Sequence, residues 1–325
     1  TALGKPDLHA ITLARSSVES FLQFSARRDL REDAFKAWTR RGEAAAERDN
    51  RKIVAGGVAL RTELAQLLGY ESYAHYALED QMARSPAAVR ELLEDVWPHA
   101  VAKAGRERDA LQKIAASEGG NFPIAAWDWR YYAEKERKAR YDLDEADVRP
   151  FLQLDKMIEA AFDTAHRLFG LTFEERPDVP VYHPDVRVWE VKAKDGTHIG
   201  LFLGDYFARP SKRSGAWMSA FRTQHKLGKG QRPIIVNVMN FARGGDAEPT
   251  LLSFDDARTL FHEFGHALHG LLSDVTYPSI AGTNVARDFV ELPSQLYEHW
   301  LSRPEVLSRF AVHVTTGKPM SKEML

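Results

Sequence analysis

Between Thr259 and Gly270 the chain reads Thr-Leu-Phe-His262-Glu263-Phe-Gly-His266-Ala-Leu-His269-Gly270, and the spacing of its histidines demands a helix. His262 and His266 are one turn apart in an α-helix, so both imidazoles project from one face. Neutral imidazoles at i and i+4 can each offer a nitrogen to one zinc ion, and the glutamate beside the first can act as general base for water at that ion. Ser253-Phe-Asp-Asp256 just upstream reads as a capping box. Leu260, Phe264, Ala267, Leu268 and Leu271 recur at helical spacing and point nearly opposite the two histidines on a wheel of about 100° per residue. The helix this predicts has an apolar back for a core and a histidine face for a cleft. A chance HExxH has no reason to carry both.

His269 shares the histidine face but lies about 10 Å along the axis from His262, too far to share its ion. It reads as polar cleft lining. The metzincin pattern wants glycine at 269 and histidine at 272, and the chain has His269 and Leu272. With no cysteine in 325 residues, a disulfide framework is excluded and any metal must use nitrogen and oxygen ligands. A catalytic zinc normally takes three protein ligands and a water. Asp274 would lie about 12 Å beyond His266 on a continuing helix, a poor position. Asp288, Glu291 and Glu298 fall in Arg287 to Trp300, a second predicted helix with Pro293 near its start. Spacing alone does not choose among these three.

The remaining chain is ordinary in composition. A net charge of −2 gives no basis for nucleic-acid binding or a polybasic membrane surface. No run approaches the roughly 18 apolar residues of a membrane span. From Ser16 to about Gly119 the pattern is almost continuously helical. Leu60, Leu64, Leu67 and Leu68 form one stripe, closed by Gly69. Ser85-Pro86 opens another helix, with Val89, Leu92, Leu93 and Val96 as its expected buried side. Phe122, Trp127, Trp129, Tyr131 and Tyr132 crowd into 121–132 and read first as an aromatic wedge between helices, second as a cleft wall. A helix is expected from Leu152 to Leu168. At Val181 the texture becomes strand-like: Val186 to Val191 alternates, Lys194-Asp195-Gly196 marks a turn, and Ile199 to Leu203 and Ile234 to Met239 read as strands. The expected fold is mainly α with a small antiparallel β-sheet, divided into a helical region 1–180 and a region 181–325 carrying the sheet and the zinc-binding helices.

Longer stretches resemble the M3 family of zinc metallopeptidases, the thimet oligopeptidase and oligopeptidase A group. They are Tyr182-His-Pro-Asp-Val-Arg-Val-Trp-Glu-Val191, Phe207-Ala-Arg-Pro-Ser-Lys-Arg-Ser-Gly-Ala-Trp-Met218, the HEFGHALHG stretch and Asp288 to Gln295. Within the family, Ala281 to Glu291 most resembles the peptidyl-dipeptidase branch, which releases dipeptides from free C-termini. Carried over by position, the resemblance implies His262, His266 and Glu291 as ligands of one Zn2+, with Glu263 as the catalytic carboxylate. It also implies a zincin-type, two-lobed, mostly helical body enclosing a channel that admits short peptides. The expected protein is a cytoplasmic monomer, with the periplasm as the other compartment considered. Other activities considered are an endo-acting oligopeptidase and a zinc-stabilised binding protein without turnover. The family's Gly- and Tyr-rich loop, which stabilises the tetrahedral intermediate, has no counterpart before Leu325. The chain is therefore expected to be a fragment and a poor peptidase on its own.

Three finer expectations concern the surroundings of the site. Metal-bound histidines usually donate their second N–H to a carboxylate or carbonyl, so Asp288 or Glu298 should meet a ligand histidine. An extended peptide should add to the edge of the sheet containing Ile234 to Met239. Arg209, Lys212 or Arg213 is expected to receive a substrate carboxylate.

Overall fold

The computed structural model describes residues 10–13, 15–43, 46–141, 145–244 and 248–324. They divide into two units, 1–142 and 143–325. The change of texture at Val181 thus falls inside the second unit, because the helix that precedes it packs on the sheet.

The first unit is helical: α1 (Arg15–Phe24), α2 (Arg28–Thr39), α3 (Arg51–Leu67), α4 (Tyr73–Leu78), α5 (Pro86–Ser117) and α6 (Trp129–Tyr141). Ser85 caps α5 by accepting from the Ala88 N–H, with Pro86 in the first turn where its missing N–H costs nothing. Its small core joins Leu111 and Ala115 of α5 to Tyr132, with Phe122, Trp129 and Tyr131 around them. The aromatic crowding is thus a wedge between α5 and α6. Asp128, fully buried, is held by Arg31 at 2.8 Å and Arg28 at 2.9 Å.

The side of α5 expected to be buried is not: Leu92, Leu93 and Val96 lie exposed and Val89 is half-buried. The stripe of Leu60, Leu64 and Leu67 on α3, continued by Leu68 just after it, is exposed as well, Leu67 at 85%. The spacing is helical as read, but α3 packs chiefly on α4 and the first half of α5 has little beside it within this unit.

The second unit runs α7 (Glu145–Val148), α8 (Leu154–Phe169), β1 (Thr172–Glu175), β2 (Arg187–Lys192), β3 (His198–Phe207), β4 (Trp217–Arg222), β5 (Ile234–Phe241), α9 (Phe254–Leu271), α10 (Glu291–Leu301) and α11 (Pro304–Phe310). The five strands are ordered β1-β2-β3-β5-β4. The sheet is mixed rather than antiparallel, because β3 and β5 pair in parallel. Connectivity decides this: after β3 the chain passes beyond the next position, lays down β4 at the edge, and returns through a hairpin to fill the gap with β5. Ile234 to Met239 is therefore interior, and the edge strands of its sheet are β1 and β4.

Alternation then sorts the side chains. Trp189, Val191, Phe202, Tyr206, Ile235 and Met239 face α8 and α9, building one core with Met157, Leu260, Phe264 and Leu268. Val188, Leu203, Val236 and Val238 fill the other face. The sheet and α8 thus hold the apolar back of α9 and leave its histidine face turned away from the core.

Candidate metal centre

The helix α9 begins as its sequence dictates. Ser253 Oγ accepts from the Asp256 N–H at 3.0 Å and Asp256 Oδ2 accepts from the Ser253 N–H at 3.1 Å, closing both halves of the capping box. Leu260, Phe264, Ala267, Leu268 and Leu271 are all buried. On the opposite side the rings of His262 and His266 lie 4.9 Å apart and nearly perpendicular. The helix ends at Leu271, and Asp274 beyond it pairs with Lys226.

The chain then loops back, and α10 begins at Glu291. Glu291 Oε2 lies 3.2 Å from His262 Nε2 and 3.1 Å from His266 Nε2. Three ligands held tetrahedrally at about 2.0–2.2 Å from one ion stand roughly 3.3–3.6 Å from each other. The observed spacings are within a few tenths of an ångström of that, so His262, His266 and Glu291 form a group that could hold a metal ion. Asp288 stands before the helix, in the turn that leads into it.

Glu298, two turns along α10, meets the second nitrogen of a histidine: His262 Nδ1 is 2.6 Å from its Oε1. A carboxylate there fixes which ring nitrogen carries the proton and leaves Nε2 facing Glu291. Ser294 Oγ, fully buried, is 2.9 Å from Glu291 Oε2 and 2.9 Å from the Glu291 carbonyl, either of which can accept its proton. His266 Nδ1 is buried without a partner among the described residues.

Glu263 is 6% exposed, with Oε2 buried and unpartnered among the described residues. Burial pushes its pKa up to about 7; the nearby His262 opposes this and the Glu291 charge adds to it. Burial likewise lowers the pKa of His266 and of His269. His269 lies against Phe289, ring centroids 6.4 Å apart, outside the three-residue group.

Two residues that the sequence reading passed over make this geometry possible. A Cβ on Gly265 would sit 2.7 Å from Ser294 Cα and 2.9 Å from the Pro293 carbonyl, so only glycine lets α10 approach α9 this closely. Its signal was available, since a glycine inside a helical pattern costs about 1 kcal/mol and asks for a packing reason. Ser294 had no comparable signal. Gly270 serves on the sheet side: its Cβ would lie 2.8 Å from Ile235 Cδ1 and 3.7 Å from Met218 Cε, bringing α9 down beside β5 and β4.

Of the three cations considered as substrate anchors, two are committed elsewhere. Arg209 clamps the buried Asp205 through two 2.7 Å bonds. Lys212, 3% exposed, is 2.8 Å from Asp205 and also donates to the carbonyls of Asp205, Phe207 and Met239. Arg213 is exposed, stacked 4.5 Å over the Trp217 ring at the start of β4, and has no carboxylate partner among the described residues.

The chain is 45% identical to the dipeptidyl carboxypeptidase of Salmonella typhimurium over 298 residues, 91% of this chain and 44% of that protein. It is 36% identical to oligopeptidase A of Escherichia coli over 324 residues, 98% of this chain and 48% of that protein. To the organellar oligopeptidase A of Arabidopsis thaliana it is 34% identical over 324 residues, 97% of this chain and 41% of that protein. The chain thus covers less than half the length of these curated relatives. Residues 21–325 match the model of peptidase family M3, and with the HExxH helix and the Asp288 to Gln295 turn and helix inside the matched span, the chain belongs to peptidase family M3.

Proposed function

We propose that this chain carries the zinc site of a peptidase that hydrolyses short peptides and releases C-terminal dipeptides. One observation carries the reading: Glu291 Oε2 stands within 3.2 Å of both histidine Nε2 atoms, beside a buried Glu263 carboxylate whose Oε2 has no partner among the described residues. In this reading His262, His266 and Glu291 hold Zn2+. The bound ion supplies Lewis acidity, polarising a peptide carbonyl and lowering the pKa of water.

The protein side of the chemistry belongs to Glu263. A carboxylate whose proton affinity is raised by burial can take the proton of the attacking water and return it to the departing amine near neutral pH. Glu298 keeps His262 in the tautomer that presents Nε2, and Ser294 holds the Glu291 carboxylate in place.

The substrate reading follows from β4. Among the described residues β4 pairs only with β5, so its outer edge is open to an extended peptide through main-chain hydrogen bonds. Arg213, shortly before β4, is the cation available for the free C-terminal carboxylate that dipeptide release requires. The proposal includes the two-lobed, channel-enclosing body, short peptides as the only partners, and a cytoplasmic protein. No helix among the described residues is long and apolar enough to cross a membrane.

The second reading, endo-acting cleavage, is favoured by the 36% identity to an oligopeptidase A. Product masses separate the two. A polypeptide extended to the length of the relatives is loaded with zinc, given peptides with free and amidated C-termini, and assayed with and without chelator, because these 325 residues alone are expected to turn over poorly. Dipeptides from free termini only, lost with chelator and with Glu263→Gln, are the expected result. Internal fragments from both peptides would favour the second reading. Failure of the protein to bind zinc at one equivalent, or undiminished hydrolysis by Glu263→Gln, would overturn both.

A further inference from the structure

The segment 208–216 between β3 and β4 carries three cations, Arg209, Lys212 and Arg213. The first two are turned inward. Arg209 and Lys212 meet the Asp205 carboxylate, and Lys212 Nζ also donates to the carbonyls of Asp205 and Phe207 on β3 and of Met239 on β5. The first half of the segment is thereby fastened to both strands.

The second half is fastened by one side chain. Asn240, half-buried near the end of β5, donates from Nδ2 to the Arg213 carbonyl at 2.9 Å and to the Gly215 carbonyl at 2.6 Å. An amide nitrogen has two N–H groups, and both find an acceptor here. Between those acceptors and β4 the chain turns through Gly215, whose φ of 93° lies in the left-handed region that favours glycine. Asn240 thus fixes the main chain on both sides of Ser214, just before β4 begins.

The same turn carries Arg213. Its guanidinium lies 4.5 Å over the Trp217 ring, exposed and with no carboxylate partner among the described residues. The residue is therefore held twice, through its carbonyl by Asn240 and through its side chain by Trp217. A flexible cation ordered in advance gives up less entropy when an anion arrives, and a guanidinium offers a carboxylate two parallel N–H groups. The strand it introduces passes the metal helix: Met218 Cε is 3.7 Å from where a Cβ on Gly270 would stand, and Gly270 is one turn beyond His266.

We propose that Asn240 is a positioning residue for substrate selection, setting the turn 213–216 so that Arg213 receives the free α-carboxylate of a peptide laid along β4. The inference rests on the dipeptide-releasing reading above and adds the device that enforces it. With its carboxyl end at the start of β4 and its other residues along that strand, the peptide runs antiparallel to β4. Asn240 itself touches no substrate and acts through Arg213. A C-terminal amide, which carries no charge for Arg213, gains nothing from the arrangement.

The test is calorimetric titration of the zinc-loaded polypeptide, extended to the length of the relatives, in a Glu263→Gln background that blocks turnover. The ligands are a pentapeptide with a free C-terminus and its C-terminal amide. The free acid is expected to bind at least about tenfold more tightly than the amide, and Arg213→Ala should erase that difference. Asn240→Ala should weaken the acid by about fivefold or more and leave the amide within about twofold, with zinc affinity and circular dichroism unchanged. With Glu263 intact, Asn240→Ala should raise KM for the free peptide and hold kcat within about twofold. Equal affinity for acid and amide, or a preference that survives Arg213→Ala, would overturn the inference together with the assignment of the carboxylate to Arg213. A preference lost in Arg213→Ala but intact in Asn240→Ala would overturn the inference alone. Equal weakening of acid and amide by Asn240→Ala would reduce Asn240 to a structural role and overturn it as well.

Discussion

Replacing Gly265 with alanine tests whether the approach of α9 and α10 sets the metal geometry. The new Cβ would stand 2.7 Å from Ser294 Cα and 2.9 Å from both the Pro293 carbonyl and Tyr297 Cβ. Carbon atoms in contact settle at about 3.5–4.0 Å, so the helices must part by roughly 0.8 Å or more. The contacting atoms are backbone and Cβ, which cannot swing aside. Glu291 lies one turn before Ser294 on the same helix, so its carboxylate moves with that displacement. Metal sites tolerate only about 0.2 Å in ligand distance, and zinc affinity is expected to fall at least about tenfold to a hundredfold. Overpacking costs about 1–3 kcal/mol, offset by up to about 1 kcal/mol because alanine favours a helix interior. The metal-free protein should therefore lose at most about 3 kcal/mol. Competition against a chromophoric chelator gives the affinity, and urea unfolding of the metal-free protein gives the stability. Zinc affinity within about twofold of the parent would refute the close-approach reasoning.

Glu298→Gln should weaken zinc binding by about 10–100-fold through the loss of the His262 Nδ1 partner, read by the same chelator competition, with the helical circular dichroism unchanged. Asp205→Asn should cost about 3–5 kcal/mol in urea unfolding at pH 7, because Lys212 and Arg209 then face no carboxylate in a buried place. The acid side of the same group has a definite sign. Burial pushes the Asp205 pKa up, but the bonds from Arg209, Lys212 and Tyr182 outweigh it and hold the carboxyl below its ordinary 3.8. Its contribution is thus fully present above that value and is lost as pH falls through the lower folded value. Urea midpoints measured from pH 7 down to the acid limit should drop steeply at the acid end for the parent and less so for Asp205→Asn. Ser253→Ala should remove about 1 kcal/mol by opening the capping box, seen as a lower urea midpoint, and equal midpoints would show that water caps α9 as well.

The elements whose signals are local were legible in the linear chain. The capping box at Ser253, the i,i+4 histidines and the apolar back of α9 each depend on residues within a few turns, so the helix could be read with its two faces. Strands β2, β3 and β5 showed through alternation and a turn signal. The third ligand did not follow from spacing, since Asp288, Glu291 and Glu298 share one short stretch. Resemblance named Glu291, and it is the position of α10 against α9 that brings its oxygen to both histidines.

What tertiary structure alone decided comes from contacts between segments far apart in sequence. The parallel pairing of β3 and β5 depends on where the chain goes between them, which alternation along either strand does not encode. Arg209 and Lys212 looked like free cations until the fold set Asp205 between them. Leu60 and Leu92 repeat at helical spacing, yet they lie exposed, because periodicity defines a face and only a neighbouring element buries it. Gly265 is the same lesson at atomic scale: its missing side chain matters only because α10 lies against it, 26 residues from Glu291 in sequence but in contact through Ser294.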